Sequence, residues 1–233
     1  MLLGLGSLAT LCLLGLPIAI LLLGFPRRVR VPLGRRLICR TLAIYLWILK
    51  TFCFVRIKSD EFEAVEMQRP LILIANHPSL LDAVILLSKL PHATCIMKAG
   101  LRRNLFFGPM TRLAGYISND DPARLIRQAC EELKNGSIVI IFPEGTRTTD
   151  SQVNSFGETS AFISMRSGVS IQTVLMRYNM RYLGKSWPIW RKPTLPLRID
   201  LKLGSKFTAD GNRYDVTQRL ESYYRVNLST IIV

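Results

Sequence analysis

At 233 residues the chain has room for one sizeable hydrophobic core and an added membrane element, but not for a second full domain. Lysine and arginine outnumber aspartate and glutamate by 31 to 16, yet 49 % of the residues are hydrophobic and the mean hydropathy is +0.25. Charge alone would suggest nucleic acid, but a chain both basic and apolar fits an anionic lipid surface better than a duplex, so membrane lipid and no nucleic acid is the expected partnership.

Residues 1–26 carry no charge and read as a leucine-rich helix interrupted only by glycine and Pro17, long enough for a transmembrane anchor. A secretory signal would place basic residues before the apolar run and a small-residue cleavage site after it. Here Arg27, Arg28, Arg30, Arg35 and Arg36 follow the run instead, and the positive-inside rule puts the remainder on the cytoplasmic side. Residues 27–57 read as a basic linker and an interfacial or re-entrant helix over roughly 37–55, with Arg40 and Lys50 at its shoulders and Tyr45, Trp47, Phe52 and Phe54 between. An ordinary buried helix of the following domain fits the same pattern.

Residues 58–233 form the remaining domain. After a charged stretch at 58–66, short apolar runs alternate with amphipathic ones. The fold class is α/β, a mixed central sheet flanked by helices, joined to an N-terminal transmembrane/interfacial helix pair. Strands are expected at 71–75, 93–97, 137–142, 170–176 and 197–203, and helices at 80–89, 123–134 and 214–227. The proline- and aromatic-rich residues 187–196 read as a loop. Cys12, Cys39, Cys53, Cys95 and Cys130 are scattered, with no C-x-x-C pair and no histidine at ligand spacing, so neither a metal site nor a disulfide framework is expected and a reducing compartment fits.

Two loops carry chemistry. In Asn76-His77-Pro78-Ser79-Leu80-Leu81-Asp82, a histidine and an aspartate five positions apart straddle a strand-to-helix turn, the place where open α/β sheets bind ligands. That spacing can fold the carboxylate back on the imidazole and leave the other ring nitrogen free as a base; a histidine packed beside its own helix with Asp82 solvated fits it too. In Phe142-Pro143-Glu144-Gly145-Thr146-Arg147, proline and glycine set a tight turn with exposed N–H groups, and Arg147 offers a planar fork for phosphate. A surface turn with Glu144 paired to Arg147 is the plainer reading.

Together, N-H-x-x-x-x-D and F-P-E-G-T-R some sixty residues later resemble the glycerolphosphate acyltransferase family, which includes bacterial 1-acylglycerol-3-phosphate acyltransferase, over about residues 55–205. The resemblance implies that His77 and Asp82 are the catalytic pair and that Glu144, Gly145, Thr146 and Arg147 bind the acceptor, with Arg147 on its phosphate. Lys98 falls where relatives carry a substrate-binding lysine. The implied reaction moves a fatty-acyl group from acyl-CoA or acyl carrier protein to a lipid hydroxyl, by default that of 1-acylglycerol-3-phosphate, with no metal and no other cofactor. It would take place on the cytoplasmic face of a bacterial inner membrane, with backbone N–H groups near Gly145 receiving the oxyanion. Arg102 and Arg103, near Lys98, would form a solvated or headgroup-facing surface, or help hold a polyanionic donor.

Two departures from the family pattern stand out. Gly115-Tyr116-Ile117-Ser118-Asn119-Asp120 lacks the arginine of a Gly-x-Ile-Phe-Ile-x-Arg motif, and Ser170-Ile171-Gln172-Thr173-Val174 lacks the prolines of a later one. Both are expected to affect acceptor binding, so the acceptor could be another lysolipid, an ornithine-type lipid or an aryl-polyene-type lipid. A non-catalytic lipid-binding protein of the same fold is the alternative outside enzymology.

Overall fold

The computed structural model describes residues 2–59, 62–105, 107–149, 152–188 and 191–229. Parts of two expected segments, residues 60–61 and 189–190, lie outside the described residues.

Two runs without a polar side chain make the centre of the sheet. Leu71–Ala75 (β2) and Ile138–Ile141 (β5) are buried at every position, as strands covered on both faces must be. Because side chains alternate along a strand, Leu71 and Leu73 enter one core while Ile72 and Ile74 enter the other. Around them lie Ala93–Met97 (β3), Ile117–Ser118 (β4), Ile171–Tyr178 (β6), Leu197–Phe207 (β7) and Val55–Ser59 (β1), in the order β1-β7-β6-β2-β5-β3-β4. Every pairing is parallel except β6 with β7, which makes the sheet mixed.

One face is covered by Leu81–Lys89 (α4) and by a helix from the N-terminal region, through Leu81, Ile85, Leu86 and Tyr45, Leu46, Leu49. The other carries Pro122–Lys134 (α7), Thr159–Ser167 (α8) and Arg213–Ser229 (α9). Helix α7 has a clear start and stop: the Asp121 side chain accepts the Arg124 N–H at 3.1 Å, Pro122 opens the helix, and Gly136 follows at φ +75°. Short helices Phe62–Met67 (α3), Ala99–Arg103 (α5) and Phe107–Leu113 (α6) fill the connections.

Helix Leu2–Leu23 (α1) contains a charge-free 18-residue stretch, Gly6–Leu23, long and apolar enough to cross a membrane, with 11 % of it buried. It folds back along the second helix, Gly4 facing Leu49 and Gly15 facing Met110 of α6 so closely that a side chain at either would make the tip of its neighbour shift. Leu13, Leu14, Ile18, Ile20 and Leu21 stay exposed.

The expected basic linker is not a linker. Arg27–Phe52 (α2) is one continuous helix that includes Pro32, and the reason is partly electrostatic. Arg35, expected among the charges following the membrane run, is 7 % exposed and bonds the Ala114 carbonyl at 2.9 Å, Ser137 Oγ at 3.0 Å and Glu132 Oε2 at 2.8 Å. Arg27 takes the other oxygen of Glu132 at 3.2 Å. These bonds fix the first half of α2 to α7 and to the start of β5. Farther along, Tyr45, Leu46 and Leu49 are buried against the domain while Ile44, Trp47 and Phe52 remain exposed.

Removing one member of a buried pair strands the other charge. Arg35→Met is expected to cost about 3 kcal/mol of stability, and Arg35→Met/Glu132→Leu distinctly less, as read by denaturant melts of the detergent-solubilised protein.

Candidate active site

The chain leaves β2 at Asn76, whose buried carboxamide imitates a backbone pairing. Its Oδ1 accepts the Met176 N–H and its Nδ2 donates to the Met176 carbonyl, both at 2.8 Å, so the end of β2 stays tied to β6. His77 comes next. The turn after it is held by Ser79, whose hydroxyl donates to the Tyr182 carbonyl at 2.7 Å and accepts the Leu81 N–H at 3.1 Å.

Asp82, in the first turn of α4, is fully buried and does fold back: its Oδ2 lies 2.9 Å from His77 Nδ1 and accepts the Ser79 N–H at 2.8 Å, while Oδ1 accepts the Tyr178 hydroxyl. Burial pushes the Asp82 carboxyl above its ordinary range, against these donors, which favour the anion. Burial, and then the Asp82 charge, raise the Tyr178 phenol well above its ordinary value, keeping it a donor. With only an acceptor facing Nδ1, the proton sits there and Nε2 is left as a base. The imidazole stacks on Phe142, ring centroids 4.1 Å apart at 23°, and its side chain is 16 % exposed.

Glu144 has a different place from the one expected for an acceptor ligand. It is buried, and its oxygens accept the His77 N–H at 2.7 Å, the Asn154 N–H at 2.8 Å and the Thr148 hydroxyl at 2.9 Å. Thr148 also donates its own N–H to the His77 carbonyl at 2.8 Å. Both backbone groups of His77 are therefore held by the second loop. Burial raises the Glu144 carboxyl, opposed chiefly by the Asn154 and His77 N–H groups.

Gly145 adopts φ +64° and turns its N–H onto the Phe142 carbonyl at 3.0 Å, so among the backbone N–H groups near Gly145 expected to receive the oxyanion, its own is already engaged. Thr146 is half-buried beside it. Arg147 does not pair with Glu144; its Nη1 donates to the Leu183 and Gly184 carbonyls at 2.8 and 2.9 Å, which anchors the guanidinium to the segment after β6. Lys98 is exposed at the end of β3, separated from β2 by β5, so about 10 Å of sheet lies between it and His77. Asn119 supports its loop, accepting the Ala99 N–H at 3.1 Å and donating its own N–H to the Met97 carbonyl at 3.1 Å.

The Gln172 and Thr173 departures lie at the start of β6, away from the end that meets Asn76. Gln172 Nε2 bonds the Gly204 carbonyl at 2.6 Å and Thr173 Oγ1 the Ser205 carbonyl at 2.9 Å, so they join β6 to β7 rather than facing the strand ends where acceptor contacts were expected.

Neighbouring strands β2 and β5 send their chains to opposite faces, one through α4 to β3 and the other through α8 to β6. The crevice opened by such a divergence is where α/β sheets take ligands, and both loops stand on its rim. Tyr178, Asn76, Thr148 and Asn154 escaped the sequence reading as functional positions; only Asn76 carried a local signal, its place in the first motif.

Residues 56–177 match the sequence profile of the Acyltransferase family. The chain belongs to that family. Among its relatives, the 1-acyl-sn-glycerol-3-phosphate acyltransferase of Pseudomonas aeruginosa is 22 % identical over 196 residues, covering 80 % of this chain and 74 % of that protein. The lyso-ornithine lipid O-acyltransferase of the same organism is 31 % identical over 115 residues, covering 48 % and 44 %. The crystal structure of the 1-acyl-sn-glycerophosphate acyltransferase from Thermotoga maritima shares the fold, with a TM-score of 0.67 at 24 % identity over 84 % of this chain and 80 % of that one. The protein is thus an acyltransferase of the lysophospholipid acyltransferase family.

In this acyltransferase, Tyr178→Phe removes one charged hydrogen bond, worth about 1.5–3 kcal/mol. It is expected to lower kcat at least tenfold, read by transfer of radiolabelled acyl groups. Glu144→Gln presents an amide donor to groups that are themselves donors, and is expected to lower both thermal stability and kcat.

Proposed function

We propose that the enzyme transfers a fatty-acyl group from acyl-CoA or acyl carrier protein to the free hydroxyl of 1-acylglycerol-3-phosphate, on the cytoplasmic face of a bacterial inner membrane. The observation that carries this reading is the bond of His77 Nδ1 to buried Asp82, which leaves Nε2 as a base at the rim of the crevice. Nε2 removes the hydroxyl proton as that oxygen attacks the thioester carbonyl. The imidazolium so formed is stabilised by Asp82, and the tetrahedral intermediate collapses as the carbon–sulfur bond breaks and the thiolate takes the proton. Arg147, with one nitrogen fixed on two carbonyls, presents the rest of its fork to the acceptor phosphate. Lys98 on the same edge adds a mobile positive charge for either substrate.

A second acceptor, a lyso-ornithine lipid, is favoured by one specific observation. Counted from Gly115, Asp121 stands where the motif's arginine was expected, an acid in place of a cation, and its side chain is engaged in capping α7.

The test supplies radiolabelled acyl-CoA and acyl carrier protein in parallel to purified enzyme with 1-acylglycerol-3-phosphate or lyso-ornithine lipid. Transfer to 1-acylglycerol-3-phosphate, reduced about 10²–10⁴-fold by His77→Ala, is the expected result. Transfer confined to lyso-ornithine lipid selects the second acceptor. Transfer that His77→Ala leaves unchanged overturns the proposed chemistry.

A further inference from the structure

A small cavity at the turn between α1 and α2 gathers five arginines. Its volume is about 150 Å³, and Arg27, Arg30, Arg102, Arg112 and Arg124 line it together with Leu23, the last residue of the apolar helix. The arginines come from four separate elements: α2, α5, α6 and α7. Charges on one exposed helix face need no common purpose, but guanidinium groups converging from four elements repel one another across a shared space. An anion in that space reverses the balance.

Little else neutralises them. No acidic side chain among the described residues lines the cavity. Glu132, which does not line the cavity, pairs with Arg27 and shares its charge with Arg35. Arg112 Nε is held by the Gly108 carbonyl at 3.2 Å. Arg30, Arg102 and Arg124 form no ion pair among the described residues; Asp120, which acts electrostatically on Arg102 and Arg124, is exposed and outside the lining. The space equals about five waters of liquid volume, the scale of a partly hydrated phosphate group. Planar forks suit phosphate oxygens, and Leu23 puts the opening where a lipid-embedded helix ends, at headgroup depth.

We propose that this cavity binds the phosphate of an anionic lipid headgroup. Strand β4, which borders it, is three strand spacings from β2, about 14 Å, so a headgroup held there belongs to a lipid other than the acceptor at His77. The site serves an enzyme of this family whichever acceptor it uses.

The full chain, in a neutral detergent, is titrated with dihexanoyl phosphatidylglycerol while its melting temperature is followed. A saturable rise is expected. Arg102→Gln/Arg124→Gln should weaken the apparent affinity at least tenfold, while Lys134→Gln/Lys206→Gln, which removes two charges elsewhere, should leave it within twofold. Zwitterionic dihexanoyl phosphatidylcholine and inorganic phosphate should each bind at least tenfold more weakly than the anionic lipid. Ligand-free melts of each variant come first, and Arg102→Lys/Arg124→Lys, which keeps charge but loses the forks, replaces the glutamine pair if that pair unfolds, with the same expected loss. The proposal is overturned if the arginine variants bind normally, if the lysine control loses as much, or if phosphatidylcholine binds equally. Equal affinity for inorganic phosphate would make this a free-anion site and overturn the lipid assignment.

Discussion

Everything at the active edge depends on a carboxylate that does not touch the imidazole. Glu144 receives the His77 N–H, and its neighbour Thr148 donates to the His77 carbonyl, so the residue at the end of β2 is held on both sides by the loop after β5. Asp82 then needs only to orient a ring whose backbone is already fixed. Because Glu144 is buried, its three donors are what make its charge tolerable, and they come from three positions of the chain. The second loop's acid is therefore part of the frame, and its glycine and arginine complete the turn and secure it to the segment after β6.

How much of this could be read from the sequence follows the distance between partners. His77 and Asp82 lie in one local turn, so their spacing allowed the observed geometry, and the second motif selected it over a solvated Asp82. The strands at 71–75 and 93–97 were visible because their apolar runs are nearly unbroken. Tyr178 reaches Asp82 across 96 positions, and Glu144 reaches His77 across 67; no spacing rule connects them. Strand β7 runs to Phe207 rather than 203 because its antiparallel ladder with β6 continues to Ile171, past the point where its apolar alternation ends. The arginine run of α2 was the clearest misreading. A guanidinium looks the same in sequence whether it faces headgroups or a buried glutamate, and Arg35 faces Glu132.

That misreading also divides the basic charge of the chain into kinds. Arg35 is structural, Arg147 is anchored through one nitrogen, and the arginines around the α1–α2 turn line a shared cavity. A net charge of +15 says nothing of these differences, although they decide which cations a lipid can meet.

The hydrogen-bond register sets one further relation. Helix α2 ends at Phe52, β1 begins at Val55 opposite Leu197, and Ile199 lies opposite Tyr178, so the exposed rings of Phe52 and Phe54 stand on the same edge of the sheet as His77. No flexible tether intervenes. An acceptor whose tail stays in the bilayer would reach the imidazole by lateral diffusion, so turnover would follow the mole fraction of that lipid in the surface and fall on dilution with inert lipid, even at constant bulk concentration.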